Sequence, residues 1–341
     1  MKAVVLEKRG KDGIRIGDFP DPARAQGNAV MRVKAASLNH ADLYMRDSGL
    51  GITHELPMVL GLDGAGEIVE ADPGSGLRPG QRVVTYPMEF CGACEYCQAG
   101  EQPWCENLSI IGEQRHGTYA EYISARAGCF LPMPENLDWS QAAALPVAYM
   151  TAWRMVFGRN PLRPGESVLI HGIGGGVALA ALQLANLAGA TIIVTSGSDE
   201  KLAKAKALGA HAGINYHDDK VWPQVLEFTQ GRGVDMVIDN VGAETWESSL
   251  RAAARGGRIM VCGATTGGHP PAELQRIFVR QLQIIGSTAA NLEEYRALLR
   301  IVALGQIEPV IDSVYAMDDA KEALDRMAGA RQFGKIVLTI P

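Results

Sequence analysis

Four thiols crowd into "CGACEYCQAGEQPWC", at Cys91, Cys94, Cys97 and Cys105, and the C-x-x-C-x-x-C-x7-C spacing points to a tetrahedral zinc site. Disulfides are the alternative chemistry, and a cytoplasmic chain argues against them. Four thiolates fill a tetrahedral shell and leave no position for water or substrate. One such zinc ion per chain would therefore hold a loop together and do no Lewis-acid work. Cys129 and Cys262 stand apart and read as small buried residues.

A second chemical signal is the glycine cluster in "SVLIHGIGGGVALAALQLANLAGATIIVT", where Gly172 and Gly174 to Gly176 separate an apolar strand from a helix-period segment. Small residues there let the backbone turn sharply and approach a pyrophosphate, whose charge is favoured by the free amides opening the helix. The next strand ends in "TSGSDEKL". An acidic residue at its end would bind the ribose 2′-hydroxyl of NAD, but Ser196, Ser198 and Lys201 offer hydroxyls and a cation, and Asp199 comes late for that role. NADP(H) is favoured over NAD(H). Ser198 and Asp199 also suit the N-terminus of a following helix, a role compatible with cofactor binding.

These residues need a scaffold. A chain of 341 residues suggests two domains, and 47% hydrophobic residues with 39 Gly and 17 Pro describe a turn-rich globular protein. The first 130 or so residues hold short β-type runs, "KAVVL", "AVMRVKAAS", "GAGEIVEA" and "QRVVTY", punctuated by Pro and Gly. From about residue 150 strands and helices alternate, which predicts a doubly wound parallel sheet. The tail from Leu304 returns to strand, helix and strand, able to pack against the first domain. A net charge of -6 without a Lys/Arg block argues against nucleic acid, so a small-molecule substrate is expected. "MKAVVLEKRG" meets Glu7 and Lys8 before a signal-type apolar core forms, and the longest apolar run is broken by Gln183, Asn186 and Gly189. No leader, no membrane span and a cytoplasmic location are expected.

The thiol lobe, "GTYAEYI", "GIGGGVALAALQLA" and the closing "GKIVL" together resemble the zinc-type medium-chain dehydrogenase/reductase superfamily over essentially the whole chain. The resemblance implies an α/β protein: a GroES-like, mostly β catalytic domain over 1–148, a Rossmann domain over 149–288, and a return to the catalytic domain over 289–341. Zinc alcohol dehydrogenases of this superfamily hold a catalytic zinc through a cysteine, a His-Glu pair and a further cysteine or acid. The corresponding positions here are Asn39, Leu62 with Asp63, and Val147; Leu and Val offer a metal no donor atom. The local motifs "LNHADLYMRDSG", "LGLDGAGEI" and "LPVAYMTAW" instead resemble the quinone oxidoreductase-like branch, which reduces activated double bonds without catalytic zinc, although that branch commonly lacks the thiol lobe.

The same resemblance implies that Asn39, Asp42, Tyr44 and Arg46 lie near the cleft. Thr151, Gly175, Gly176, Val177, Ser196, Lys201, Tyr216, Gly263, Ala264 and Ser287 would line the cofactor. It makes Asn39 and Tyr44 the candidate donors to a developing enolate, with Tyr44 a possible proton relay. Tyr44 has an equally good reading as a ring packed under the cleft, and Asp42 with Arg46 reads best as a salt bridge fixing the loop. Substrate selection would fall to the loops "DSGLGITHELPM" and "GATTGGHPPAELQRIF". "QLQIIGS" resembles the edge where relatives pair their sheets, so a homodimer or homotetramer is expected. The expected function is NADPH-dependent hydride transfer to an enone, quinone or enoyl thioester. Alternatives are a zinc-dependent alcohol dehydrogenase with atypical ligands and a cofactor-binding structural or partner protein with little catalysis.

Overall fold

The computed structural model of the protein describes residues 1–49 and 54–341; Leu50 to Thr53, part of the stretch "DSGLGITHELPM" expected to select substrate, lie outside the described residues. The chain divides into two compact units, Met1–Ala148 with Asn291–Pro341, and Tyr149–Ala290. No described helix is long and apolar enough to cross a membrane.

The first unit is organised by the strand Asn28–Ser37, almost wholly buried along its length. It pairs antiparallel with Asp63–Ala71, with Tyr122–Arg126 over its first half and with Lys335–Thr339 over its second. The register sets Ser37 opposite both Asp63 and Val337, so three strand ends meet at one place. Gly66 permits this closeness: a Cβ there would sit 2.1 Å from the Arg32 carbonyl oxygen, between two register shifts. Met31, Val33, Ile68, Val83, Phe130 and Leu338 share one core with Leu324 and Met327 of the helix Ala320–Ala328. Burial of that apolar helix face ties the end of the chain to its beginning.

The second unit is a six-stranded parallel sheet. Ala212–Asn215, Thr191–Ser196, Ser167–Ile170, Val234–Asp239, Ala253–Val261 and Gln283–Gly286 lie side by side in that order. The Val and Ile residues of the three strands Thr191–Ser196, Ser167–Ile170 and Val234–Asp239 are buried, as the middle of a parallel sheet covered by helices requires. Strand order reverses direction between Ser167–Ile170 and Val234–Asp239, which opens a crevice at their carboxyl ends. The helix Gly176–Leu187 leaves from that point, and Ala178, Ala180, Ala181 and Ala185 on its buried positions let it lie close to the sheet.

Candidate functional site

The four lobe cysteines present their sulfurs within 4.8 Å of one another, with Cys94 at the N-cap of the short helix Glu95–Gln98 and Cys97 inside it. The Sγ atoms of Cys91 and Cys97 are 3.9 Å apart, and two ligands of a tetrahedral zinc with bonds of about 2.3 Å stand about 3.8 Å apart. The backbone N–H groups of Ala93 and Cys94 donate to Cys91 Sγ at 3.4 and 3.3 Å and hold its thiol down to about 6. Burial pushes the Cys97 thiol up to about 12, so a cation among the sulfurs is what would ionise it. All four cysteines are unpaired by disulfides, and the set fits one metal ion with no open position. Of the two lone cysteines, Cys129 is buried and Cys262 is half-buried.

In the second unit Gly172 and Gly174 take φ of +68° and +121°, backbone that only glycine adopts freely, and carry the chain from strand to helix. Gly175 is the N-cap and no side chain caps the helix, so the first-turn amides of Gly176 and Val177 are left open to an outside acceptor. Ser287, just beyond the strand Gln283–Gly286, keeps a buried Oγ without a partner, a second sign that a polar ligand belongs at this end of the sheet. Gly263 and Ala264 follow the strand Ala253–Val261, and a Cβ on Gly263 would come within 2.9 Å of the Asn240 carbonyl oxygen. Thr151 is buried on the helix Pro146–Trp153.

At the end of the second strand, the Ser196 hydroxyl accepts from the Ser198 N–H at 3.2 Å, and Ser198 caps the helix Asp199–Ala207, where Lys201 occupies the first turn. Asp199 accepts from the Asn215 amide at 2.9 Å. Tyr216 is exposed beside His217, and a Cβ on Gly197 would lie 2.8 Å from the Tyr216 hydroxyl and 2.5 Å from His217 Nε2. Both rings thus reach over the strand end. His217 carried no signal in the sequence. Asp239 carried none either: buried, it accepts from the N–H groups of Val241 and Gly242 and from the Thr245 and Ser249 hydroxyls, fixing the loop beside the crevice.

In the first unit Asn39 is the N-cap of the helix His40–Asp47. Its Nδ2 donates to Asp63 Oδ2 at 2.8 Å, and its Oδ1 accepts from Lys335 Nζ at 2.6 Å. Lys335 also donates to the Leu38 carbonyl at 2.6 Å and to Asp63 Oδ2 at 3.1 Å. Asp63 takes two more donors, the Ser37 hydroxyl and the Val147 N–H, both at 2.8 Å. Asp63 is fully buried and Lys335 is 3% exposed, so this is a desolvated ion pair with its remaining hydrogen-bonding positions filled. The four positions implied to hold a catalytic metal therefore do not fit one. Asn39 and Asp63 are engaged by the ammonium and by each other, Leu62 has no donor atom, and Val147 contributes only its backbone N–H.

Asp42 and Arg46 do not bridge, contrary to the expected salt bridge fixing the loop. Asp42 points inward and accepts from the Asn39 N–H at 2.8 Å, the Gly61 N–H at 3.2 Å and the Tyr119 hydroxyl at 2.8 Å. Burial pushes its carboxyl up to about 7, against the hydrogen bonds from Asn39 and Tyr119. Arg46 turns instead to Asp47 at 2.7 Å and Asp325 at 3.3 Å. Residues four apart lie on one helix face, but a fully buried helix position draws its partners from other elements. Tyr44 is half-buried with its ring edge-on to His40 at 6.0 Å, and burial raises its phenol above the ordinary value.

Residues 25–135 match the alcohol dehydrogenase GroES-like domain family and residues 176–304 match the zinc-binding dehydrogenase family. The chain is 32% identical to an NAD-dependent alcohol dehydrogenase of Sulfolobus acidocaldarius, covering 100% of both. It is 29% identical to an acryloyl-coenzyme A reductase of Metallosphaera sedula, covering 99% of this chain and 100% of that one. A solved structure of an NAD-dependent alcohol dehydrogenase is similar with a TM-score of 0.95 at 40% identity, covering 100% of both chains. A GroES-like unit carrying a thiol lobe, with a dinucleotide-type sheet in the same chain, defines a dehydrogenase of the medium-chain type. The chain belongs to the zinc-type medium-chain dehydrogenase/reductase superfamily and is an oxidoreductase.

Proposed function

We propose that the protein is an NADPH-dependent reductase that delivers hydride to an activated carbon–carbon double bond, in an enone, quinone or enoyl thioester, without a catalytic metal. The observation that carries this reading is the Lys335–Asp63–Asn39 cluster at the implied metal position, whose donor set leaves nothing to grip an ion. Simple alcohol oxidation leans on a Lewis acid to lower the alcohol pKa; conjugate reduction needs only donors for the charge that develops on oxygen. Bound NADPH would supply the hydride for the β-carbon, leaving this chain's residues to steady the charge on oxygen and to bring a proton to the α-carbon. Asn39 is assigned to the enolate oxygen and Tyr44 to the proton. The acryloyl-coenzyme A reductase likeness supports the substrate class, and the alcohol dehydrogenase likenesses favour a second reading, NAD-dependent alcohol oxidation.

For the cofactor, Ser196, Lys201, Tyr216 and His217 form the cradle proposed for the 2′-phosphate, and the Asp199 carboxylate is engaged by the Asn215 amide. The lobe is proposed to hold one zinc ion per chain. Gln283–Gly286 is the edge strand of its sheet with Ile284 40% exposed, and Phe278 nearby is 68% exposed; a second copy pairing there would cover both. The test is a panel of enones and acyclic enoyl thioesters with NADPH beside primary and secondary alcohols with NAD. NADPH consumption with the enones supports the reading; alcohol turnover alone, or tight NADPH binding without consumption, removes it.

A further inference from the structure

A side-chain amide has a donor end and an acceptor end, and which one faces outward decides whether it can stabilise a negative oxygen. At Asn39 two partners settle the question. An ammonium has only hydrogens to give, so Lys335 must meet the amide oxygen; an ionised carboxylate can only accept, so Asp63 must meet the amide nitrogen. The backbone N–H of Asn39 is separately held by Asp42, itself gripped by Gly61 and Tyr119, so neither the amide nor the residue carrying it can turn freely. Of the two Nδ2 hydrogens one goes to Asp63, and the other has no acceptor among the described residues. Asn39 is 8% exposed, which leaves it an edge at which a ligand oxygen can be met.

We infer that Lys335 is a positioning residue: its ammonium fixes the Asn39 amide in the one orientation that presents N–H, and not C=O, to the substrate oxygen. This rests on the donor role given to Asn39 under Proposed function. The three Lys335 bonds, to Leu38, Asn39 and Asp63, use all of its hydrogens, so it does not itself touch substrate. Without that cation the amide oxygen loses the donor that holds it inward, and the stranded Asp63, once it takes a proton, can meet either end of the amide, so the oxygen is no longer kept from the developing enolate. The arrangement joins residues nearly 300 positions apart, since the closing strand begins at Lys335 and lies beside the strand ending in Ser37.

The test is a double-mutant cycle on steady-state turnover, with NADPH affinity followed by fluorescence. Lys335→Met should lower kcat on the order of 10²-fold, the scale for losing one aligned oxyanion donor. NADPH affinity should stay unchanged, and Lys335→Arg should recover most of the loss. In an Asn39→Ala background, Lys335→Met should change kcat by no more than about twofold, the scatter of independent measurements. Because Lys335→Met strands a buried carboxylate, Lys335→Met/Asp63→Asn removes both charges together and should show the same kcat loss in a folded protein. Multiplicative effects of the Asn39 and Lys335 substitutions, or weaker NADPH affinity with kcat intact, overturn the positioning role while leaving the donor role standing. Wild-type turnover by Asn39→Ala overturns the donor role and this inference with it.

Discussion

Replacing Asp42 by Asn should flatten one component of the protein's pH-dependent stability. Among the described residues this carboxyl has no ion-pair partner at contact distance, only the Asn39, Gly61 and Tyr119 hydrogen bonds, and burial pushes it up to about 7 from an ordinary 3.8. Between those two values the native state keeps a proton that the unfolded chain has lost. Stability from this group is therefore full below about pH 4, falls as pH rises toward 7, and is constant above. The gap corresponds to about 4 kcal/mol at most, since each pH unit is worth about 1.4 kcal/mol. Asparagine keeps the shape and an acceptor without the charge. Urea unfolding of both proteins at pH 4.5, 6 and 8 should show the variant gaining on the wild type as pH rises, by up to about 3 kcal/mol over that range, because effects of every other group cancel in the difference. A difference that stays constant across that range, or that shrinks, would refute the reasoning.

Further outcomes are expected at the other sites. Cys94→Ser should reduce zinc below one per chain and lower the midpoint of thermal unfolding, read by metal analysis and calorimetry, since three thiolates leave the proposed shell incomplete. Lys201→Ala and Tyr216→Phe should each weaken NADPH binding about tenfold with little change for NADH, as expected for one charge-assisted contact to a 2′-phosphate; equal losses for both cofactors would discard the cradle. Tyr44→Phe should lower turnover at unchanged NADPH affinity. Ile284→Arg should shift the assembly toward monomer in analytical ultracentrifugation; an unchanged sedimentation coefficient would move the interface elsewhere.

What could be read directly from the chain was what is encoded locally. The cysteine spacing lies within 15 residues, and the crossing from "SVLIHG" into a helix depends on neighbours only, so lobe and glycine turn were legible. The polar cluster was not. Lys335 lies 272 residues from Asp63, and nothing in "GKIVL" signals that its lysine is buried. The expected Asp42–Arg46 salt bridge failed for the same reason: Tyr119, 77 residues away, supplies a partner that nothing in the neighbouring residues signals. The metal-lacking positions were legible as absences of ligand types, but the cation that stands among them became visible only when the three strand ends met.

The account turns on reduction proceeding with the thiol lobe as the sole metal site. Metal content of enzyme purified without added metal salts, measured on the same sample whose NADPH-dependent enone reduction is assayed, tests it most directly. The account predicts one zinc per chain and full activity at that stoichiometry. Two metals per chain, with activity lost as the second is removed, would contradict it.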